Sequence, residues 1–263
     1  MVTTFDDTAA RRLEAVYRTP DMVGQRREVL RVLDPRPGEA VLDVGSGPGI
    51  LLGELAERVH PGGRATGVDL SESMLALART RLREGRPMAA LKADAVSLPF
   101  GDGAFDAAVS TQVYEYVDDI ATALADLNRV LRPGGRAVIL DTDWDSIVWN
   151  AGDRGLMERV LDAWSGRFAH PDLPRTLSRL LGDAGFTVLG VRVLVLLNPG
   201  YAPDTYSLTN LDLIADYVTA TSDLTAGDLA AWRRDLEALG REGRYFFSLN
   251  RYLFLATKKN QGD

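Results

Sequence analysis

Cysteine is absent from the 263 residues, which excludes disulfides, thiolate metal sites and a cysteine nucleophile. Histidine occurs only as His60 and His170, so a histidine-rich metal centre is excluded too. No apolar run approaches the roughly 20 residues of a membrane helix. The longest, Val191 to Leu197, is short and carries Arg192. The opening MVTTFDDTAARR lacks the apolar core of a secretory signal. The expectation is a soluble, cytoplasmic protein with no membrane span. An excess of positive charge is also missing: 30 Lys and Arg stand against 37 Asp and Glu, for a net charge of −7. Nucleic-acid binders present a basic face, so nucleic acid is not the expected partner.

What is present is ordinary globular composition, 46% hydrophobic and 25% charged. Residues 8–34 carry spaced apolar positions and read as two helices broken at Thr19-Pro20. An alternation follows. Ala40–Val44 reads as a strand, Ile50 to Val59 as a helix and Ala65–Leu70 as a strand. Ser71 then caps a helix through Arg83, and Met88–Ala93 is a third strand. Phe105–Thr111 is a fourth strand, followed by a helix to about Leu131 and a fifth strand over Ala137–Asp141. Such spacing means parallel βαβ units. Further on, 144–172 reads as interrupted helix, Leu173–Ala184 as helix, Phe186–Leu197 as strand, 203–240 as mostly helix and Tyr245–Lys258 as strand. The expected fold class is α/β: a doubly wound, mostly parallel seven-stranded sheet with helical cap elements. Residues 1–38 would form an N-terminal helical lid on a domain spanning 39–263, with cap insertions at about 144–172 and 198–240.

The strongest chemical signal is Val41-Leu42-Asp43-Val44-Gly45-Ser46-Gly47-Pro48-Gly49. An apolar strand runs into a glycine turn that opens a helix, whose free N–H groups and bare backbone suit a ligand. A dinucleotide fingerprint is G-x-G-x-x-G/A. Here the glycines fall at 45, 47 and 49, and Ile50 stands where the third small residue belongs. Its β-branched side chain would crowd the strand–helix contact, which disfavours a nicotinamide dinucleotide and an oxidoreductase. Asp69, twenty residues beyond Gly49 at the end of the second strand, is placed to accept from ribose hydroxyls. Alone, it is equally a helix cap. Asp94 ends the third strand on the same rim, where it is either a turn residue or an acceptor for an adenine amino group, with the Ala95 N–H beside it.

Together LDVGSGPG (42–49), GVDLSESML (67–75), KADAVSLPFGDGAFDAAVS (92–110) and RVLRPGGRAVILD (129–141) resemble the class I, Rossmann-like S-adenosylmethionine-dependent methyltransferases. The nearest branch is that of the ubiquinone and menaquinone biosynthesis enzymes. The resemblance is specific over 40–142 and looser over 173–197 and 245–258. It implies S-adenosylmethionine as cofactor and methyl transfer to a carbon, oxygen or nitrogen atom of a small organic acceptor. It also implies roles by position. Gly45, Ser46, Gly47 and Gly49 would contact the methionine part, and Asp69 would hold the ribose. Leu70 and Met74 would lie beside the adenine, with Asp94 and Ala95 at its edge. Thr111, Gln112 and Val113 would line the methionine portion and open toward the acceptor. Ser46 replaces the family's frequent cysteine.

Methyl transfer is an in-line displacement, and alignment in a dry pocket supplies much of its acceleration. Where the acceptor must lose a proton, a base is required. The candidates are Glu115 or Asp143 if a carboxylate acts, His170 if a histidine acts, and Tyr17 from the N-terminal segment. Each has a bland counterpart: an exposed helix start, a solvated loop, a surface turn, a core aromatic. His60 lies away from the site and reads as structural, and no metal is expected. Trp144, Trp149, Trp164, Phe168, Tyr201 and Tyr206 fall in the cap segments. They point to a hydrophobic or aromatic acceptor, or else to the lid's own core. Two other readings keep the cofactor: a nucleic-acid or protein methyltransferase, and a cyclase or binding module using it as scaffold. For the first, the Asn/Asp-Pro-Pro-aromatic string of base methylation is absent, and Thr111-Gln112-Val113-Tyr114 stands in its place.

Overall fold

In β1 (Ala40–Val44) every residue is buried. Ala40, Leu42 and Val44 join one hydrophobic core and Val41 another, as befits an inner strand covered on both faces. The computed structural model describes residues 13–81 and 88–260. In it β1 is central to a sheet completed by β2 (Arg64–Asp69), β3 (Met88–Lys92), β4 (Phe105–Thr111), β5 (Leu131–Trp149), β6 (Phe186–Asn198) and β7 (Phe247–Lys258), in the order β3-β2-β1-β4-β5-β7-β6. β1 to β5 are parallel, and β7 runs antiparallel to both β5 and β6. The seven-stranded, mostly parallel sheet expected from the sequence is therefore found. Its order reverses between β1 and β4, so their carboxyl tips part to leave a crevice.

The helices are α1 (Pro20–Leu33), α2 (Ile50–Val59), α3 (Glu72–Arg79), α4 (Ile120–Val130), α5 (Arg154–Ser165), α6 (Pro174–Asp183), α7 (Tyr206–Thr209), α8 (Leu211–Thr221) and α9 (Ala226–Arg241). Residues 13–17 form a further helical stretch before the break at Thr19-Pro20. One face of the sheet is covered by α1, α2 and α3, the other by α4 and α6. A third core joins α5, α8 and α9 to the far ends of β5 and β7, with Trp149, Val160, Val218 and Trp232 inside it. No helix of the described residues is long and apolar enough to cross a membrane.

Two expectations are corrected. The stretch from 144, read as helix, begins as strand: β5 continues to Trp149, with a bulge between Asp143 and Val148. The extension sets Trp149 opposite Phe247, and its ring lies 4.9 Å from Phe247 and 5.6 Å from Trp232, edge-on to both. Burying that aromatic outweighs local helical periodicity. Helix α3 stops at Arg79, with Thr80 as its C-cap; Arg83, its expected end, lies outside the described residues, as do residues 1–12 of the N-terminal segment.

Candidate functional site

The turn after β1 is shaped by close backbone approach. Gly45 and Gly49 have φ of 69° and 77°, values that only glycine adopts without strain. A Cβ on Gly45 would lie 2.2 Å from Cγ2 of Val113, and one on Gly49 would lie 2.8 Å from the Cβ of Ala78 in α3. The first glycine seats the turn against the chain leaving β4, and the third seats it against α3. Ser46 turns its hydroxyl toward the sheet, where a Cβ on Gly67 would lie 2.6 Å from its Oγ.

Above this turn a cavity of about 430 Å³ spans the carboxyl ends of β1 to β4. Of the residues expected to hold a cofactor, all line it except Ser46 and Gly49. Asp69 is fixed from both sides: the Gly47 N–H donates to Oδ2 at 2.8 Å and the Ser71 N–H to Oδ1 at 2.8 Å. Burial pushes its carboxyl up, and the amides of Ser71, Gly47 and Leu70 pull it back. Asp94 Oδ1 accepts from Val96 N–H at 3.2 Å, holding the loop after β3. Gln112, with φ of 57°, sits in the left-handed region, and its N–H donates to the Leu140 carbonyl at 2.7 Å. A non-glycine residue there is backbone strain of about 1–3 kcal/mol, which clusters at functional sites. The adjacent Val113 N–H is held by Asp141 Oδ1 at 3.1 Å.

The four proton-transfer candidates are separated by the structure. Tyr17 lines the cavity, and its ring lies 4.0 Å from where a Cβ of Gly47 would be. Burial, then the nearby Asp69 charge, raises its hydroxyl far above the usual phenol range, so it stays protonated. Glu115 is wholly buried behind the wall, accepting from Thr142 N–H at 3.0 Å through Oε2. Burial pushes its carboxyl up to about 7, against the Thr142 amide, the Arg251 charge and the Trp144 indole. Asp143 lies outside the cavity lining, where both oxygens accept from the Arg175 guanidinium at 2.8 and 3.1 Å. His170 is outside as well, with Nε2 3.1 Å from the Val117 carbonyl and its N–H donating to the Glu115 carbonyl at 3.0 Å. The cap aromatics divide similarly. Trp144, Trp164 and Tyr206 face the cavity, Phe168 stacks on Trp144 at 4.4 Å, Trp149 is core, and Tyr201 is exposed against Tyr245.

Three residues of the site region escaped the sequence reading. Asp43 is 1% exposed, and its Oδ2 has no hydrogen-bond partner. It faces a recess beneath the turn, shared with Gly45 and Thr111. Its signal was a lone acid in a strand otherwise apolar. Arg251 is fully buried, donating to Gln25 and lying 4.7 Å over the Tyr206 ring. It occupies an inward position of β7 between Leu249 and Leu253, a legible anomaly. Arg167 lines the cavity from the cap, with its guanidinium 5.2 Å from the Trp164 ring and 5.7 Å from that of Tyr116.

Residues 42–139 match the family model described as a methyltransferase domain. An O-methyltransferase of Penicillium expansum is 35% identical over 178 residues, 66% of this chain and 62% of that protein. A demethylmenaquinone methyltransferase of Thermus thermophilus is 41% identical over 122 residues, 46% of this chain and 54% of that protein. The chain is thus similar, over residues 42–139, to a methyltransferase domain. It spans 62% and 54% of the lengths of these two relatives. Phosphoethanolamine N-methyltransferase 2 of Haemonchus contortus, solved with phosphomonomethylethanolamine and S-adenosylhomocysteine, has a TM-score of 0.63 at 21% identity. The match covers 98% of this chain and 58% of that one, a likeness of fold.

The residues present fit the cofactor of class I methyltransferases. S-adenosylmethionine brings an ammonium, a ribose diol and an adenine. The unpartnered, buried Oδ2 of Asp43 is an acceptor that a cation would satisfy. Asp69 Oδ2 accepts from the Gly47 N–H and Oδ1 from the Ser71 N–H, and a carboxylate's roughly four lone-pair sites leave room for a hydroxyl.

Proposed function

We propose that the protein transfers the methyl group of S-adenosylmethionine to a small, apolar or aromatic organic acceptor. The observation that carries this reading is the single cavity in which Asp69, Asp94 and the glycine turn meet a roof of Trp144, Trp164 and Tyr206. When bound, the cofactor supplies a methyl group already activated on a sulfonium. The chain supplies position. Asp69 accepts from both ribose hydroxyls while Gly47 and Ser71 hold its carboxylate still. Asp43 takes the ammonium in the recess under the turn. Asp94 and the Ala95 N–H would read the adenine edge, with Leu70 and Met74 beside it. Thr111, Gln112 and Val113 guide the methionine portion toward the acceptor, while Ser46 and Gly49 act by shaping the turn.

Residues 13–38 and the cap segments near 144–172 and 198–240 serve as the lid that excludes water, which strengthens the alignment of nucleophile, carbon and sulfur. Tyr17, protonated and over the glycine turn, orients the reacting ends as a hydrogen-bond donor. The Arg167 guanidinium gives an electronegative end of the acceptor a place at the roof. Glu115, Asp143 and His170 contribute by holding the walls.

The test is calorimetric binding of S-adenosylhomocysteine with NAD run in parallel, followed by a screen of phenols, amines and prenylated or polyketide-like acceptors for S-adenosylhomocysteine release. Binding of S-adenosylhomocysteine and not of NAD, with turnover on an apolar acceptor, is expected. A folded protein that binds neither overturns the reading. One that binds the first and never releases it as product has the cofactor in a scaffold role.

A further inference from the structure

β6 closes one end of the sheet, and among the described strands only β7 pairs with it. From Gly190 to Asn198 that ladder is uninterrupted, so alternate residues share a face. Val191, Val193, Val195 and Leu197 are 47%, 52%, 52% and 49% exposed, and Leu189, at the bulge, is 59% exposed. Val148 extends the stripe: it pairs with Ser248, which pairs with Leu197, and it is exposed too. Natural edge strands are blunted with lysine, proline or inward charge. The opposite edge, β3, is five residues long and ends on exposed Lys92. β6 is thirteen residues long, and its one charge, Arg192, lies on the other face, paired with Glu28 at 3.4 Å.

The stripe reads the same in both directions: Leu189-x-Val191-x-Val193-x-Val195-x-Leu197. An antiparallel copy related by a twofold axis at Val193 would set Val193 against its own copy. Val191 would meet Val195, and Leu189 would meet Leu197. On the reverse face Arg192 would meet Leu194, so no like charges stand directly opposite. With the axis at Val193 the self-paired stretch of β6 is 188–198, which extends about 37 Å at ~3.4 Å per residue, and a sheet is about 10 Å deep. Apposing such edges covers roughly 370 Å² on each copy, below the ~1,000 Å² total of a tight interface and in the range of a weak, concentration-dependent pair. With a net charge of −7 on each chain, approach is favoured where no carboxylate lies, as along this stripe.

We propose that β6 is the interface of a symmetric homodimer, pairing antiparallel with itself about Val193 so that one sheet runs through both copies. Closed twofold contacts of this kind are the commonest way to cover a self-complementary surface.

Sedimentation velocity of the full chain should show a dimer. Val193→Lys, which sets two ammonium groups face to face on the axis, should give a monomer that still binds S-adenosylhomocysteine. The native chain has no cysteine, so single substitutions report register directly. Val193→Cys should cross-link its own copy on oxidation, since directly opposed Cα atoms lie about 4.5–5.5 Å apart. Val191→Cys alone should not, and Val191→Cys with Val195→Cys should. A monomeric native protein overturns the proposal, and one that also floats with neutral lipid vesicles assigns the stripe to a membrane surface. A dimer that persists in Val193→Lys, or cross-links through Val191→Cys alone, overturns it as well.

Discussion

The Gly47 amide donates to Asp69 Oδ2 at 2.8 Å, tying the turn after β1 to the acid at the tip of β2. That bond makes Asp69 both a ribose acceptor and a clamp on the loop. Asp69→Ala removes the acceptor and frees two backbone amides. S-adenosylhomocysteine should bind ten- to a hundredfold more weakly, about 1.5–3 kcal/mol for lost hydrogen bonds to a charged group. The protein should remain folded, because these amides face the cavity rather than a dry core. Calorimetry alongside circular dichroism checks this, and unchanged affinity in a folded variant removes the ribose assignment.

Gly45→Ala probes the approach of the turn to Val113. The new Cβ meets Val113 Cγ2 at 2.2 Å and is held at positive φ. The φ alone costs about 1–2 kcal/mol, and the collision adds to it. Val113→Ala in the same chain should recover the collision and not the φ penalty. A double-mutant cycle from urea melts should therefore give a coupling of about 0.5–3 kcal/mol. Additive losses would mean that the turn shifts away from Val113 freely.

Much of this was legible in advance. The succession of strands along the chain follows from apolar runs separated by helical periods, and the cavity lining from motifs that end on the same rim of the sheet, whereas the order β3-β2-β1-β4-β5-β7-β6 does not. The reading failed where tertiary contact overrode local pattern. Residues 145–149 carry no proline or glycine to mark a break, and the distant Phe247 and Trp232 hold Trp149 in the strand. Asp143 looked available because Arg175, thirty-two positions away, is invisible as its partner. Asp43 and Arg251 were visible as polar residues at inward positions of apolar strands, a signal that periodicity counting passes over when it scores only hydrophobic residues.

Asp143 and Tyr17 should respond oppositely to conservative change. Asp143→Asn keeps the cavity lining intact and weakens a contact to Arg175, whose side chain is 47% exposed. The stability loss should stay within about 1 kcal/mol, with kcat within a fewfold of the native value. Tyr17→Phe removes a hydroxyl from the cavity itself. It should lower kcat/KM by tenfold or more with little change in melting temperature. The reverse ranking would return the proton-handling role to Asp143.

Glu115 should make the fold less stable as pH rises. Burial lifts its carboxyl from 4.5 to about 7 in the native protein. Between those values the native state holds a proton that the unfolded chain has released. Stability from this group is then complete below pH 4.5, falls through the window to about 7, and is flat above it. At about 1.4 kcal/mol per pH unit the loss is at most ~3.5 kcal/mol. Buried Asp43 and Asp141 are raised as well, so they add slope of the same sign. Glu115→Gln keeps an oxygen for the Thr142 amide and removes the titration. Urea melts at pH 5 and pH 8 should show the variant gaining on the native protein at the higher pH while a residual slope from the two aspartates remains. An equal difference at both pH values would mean that Glu115 is already ionised in the folded state, with Arg251 compensating its charge in full.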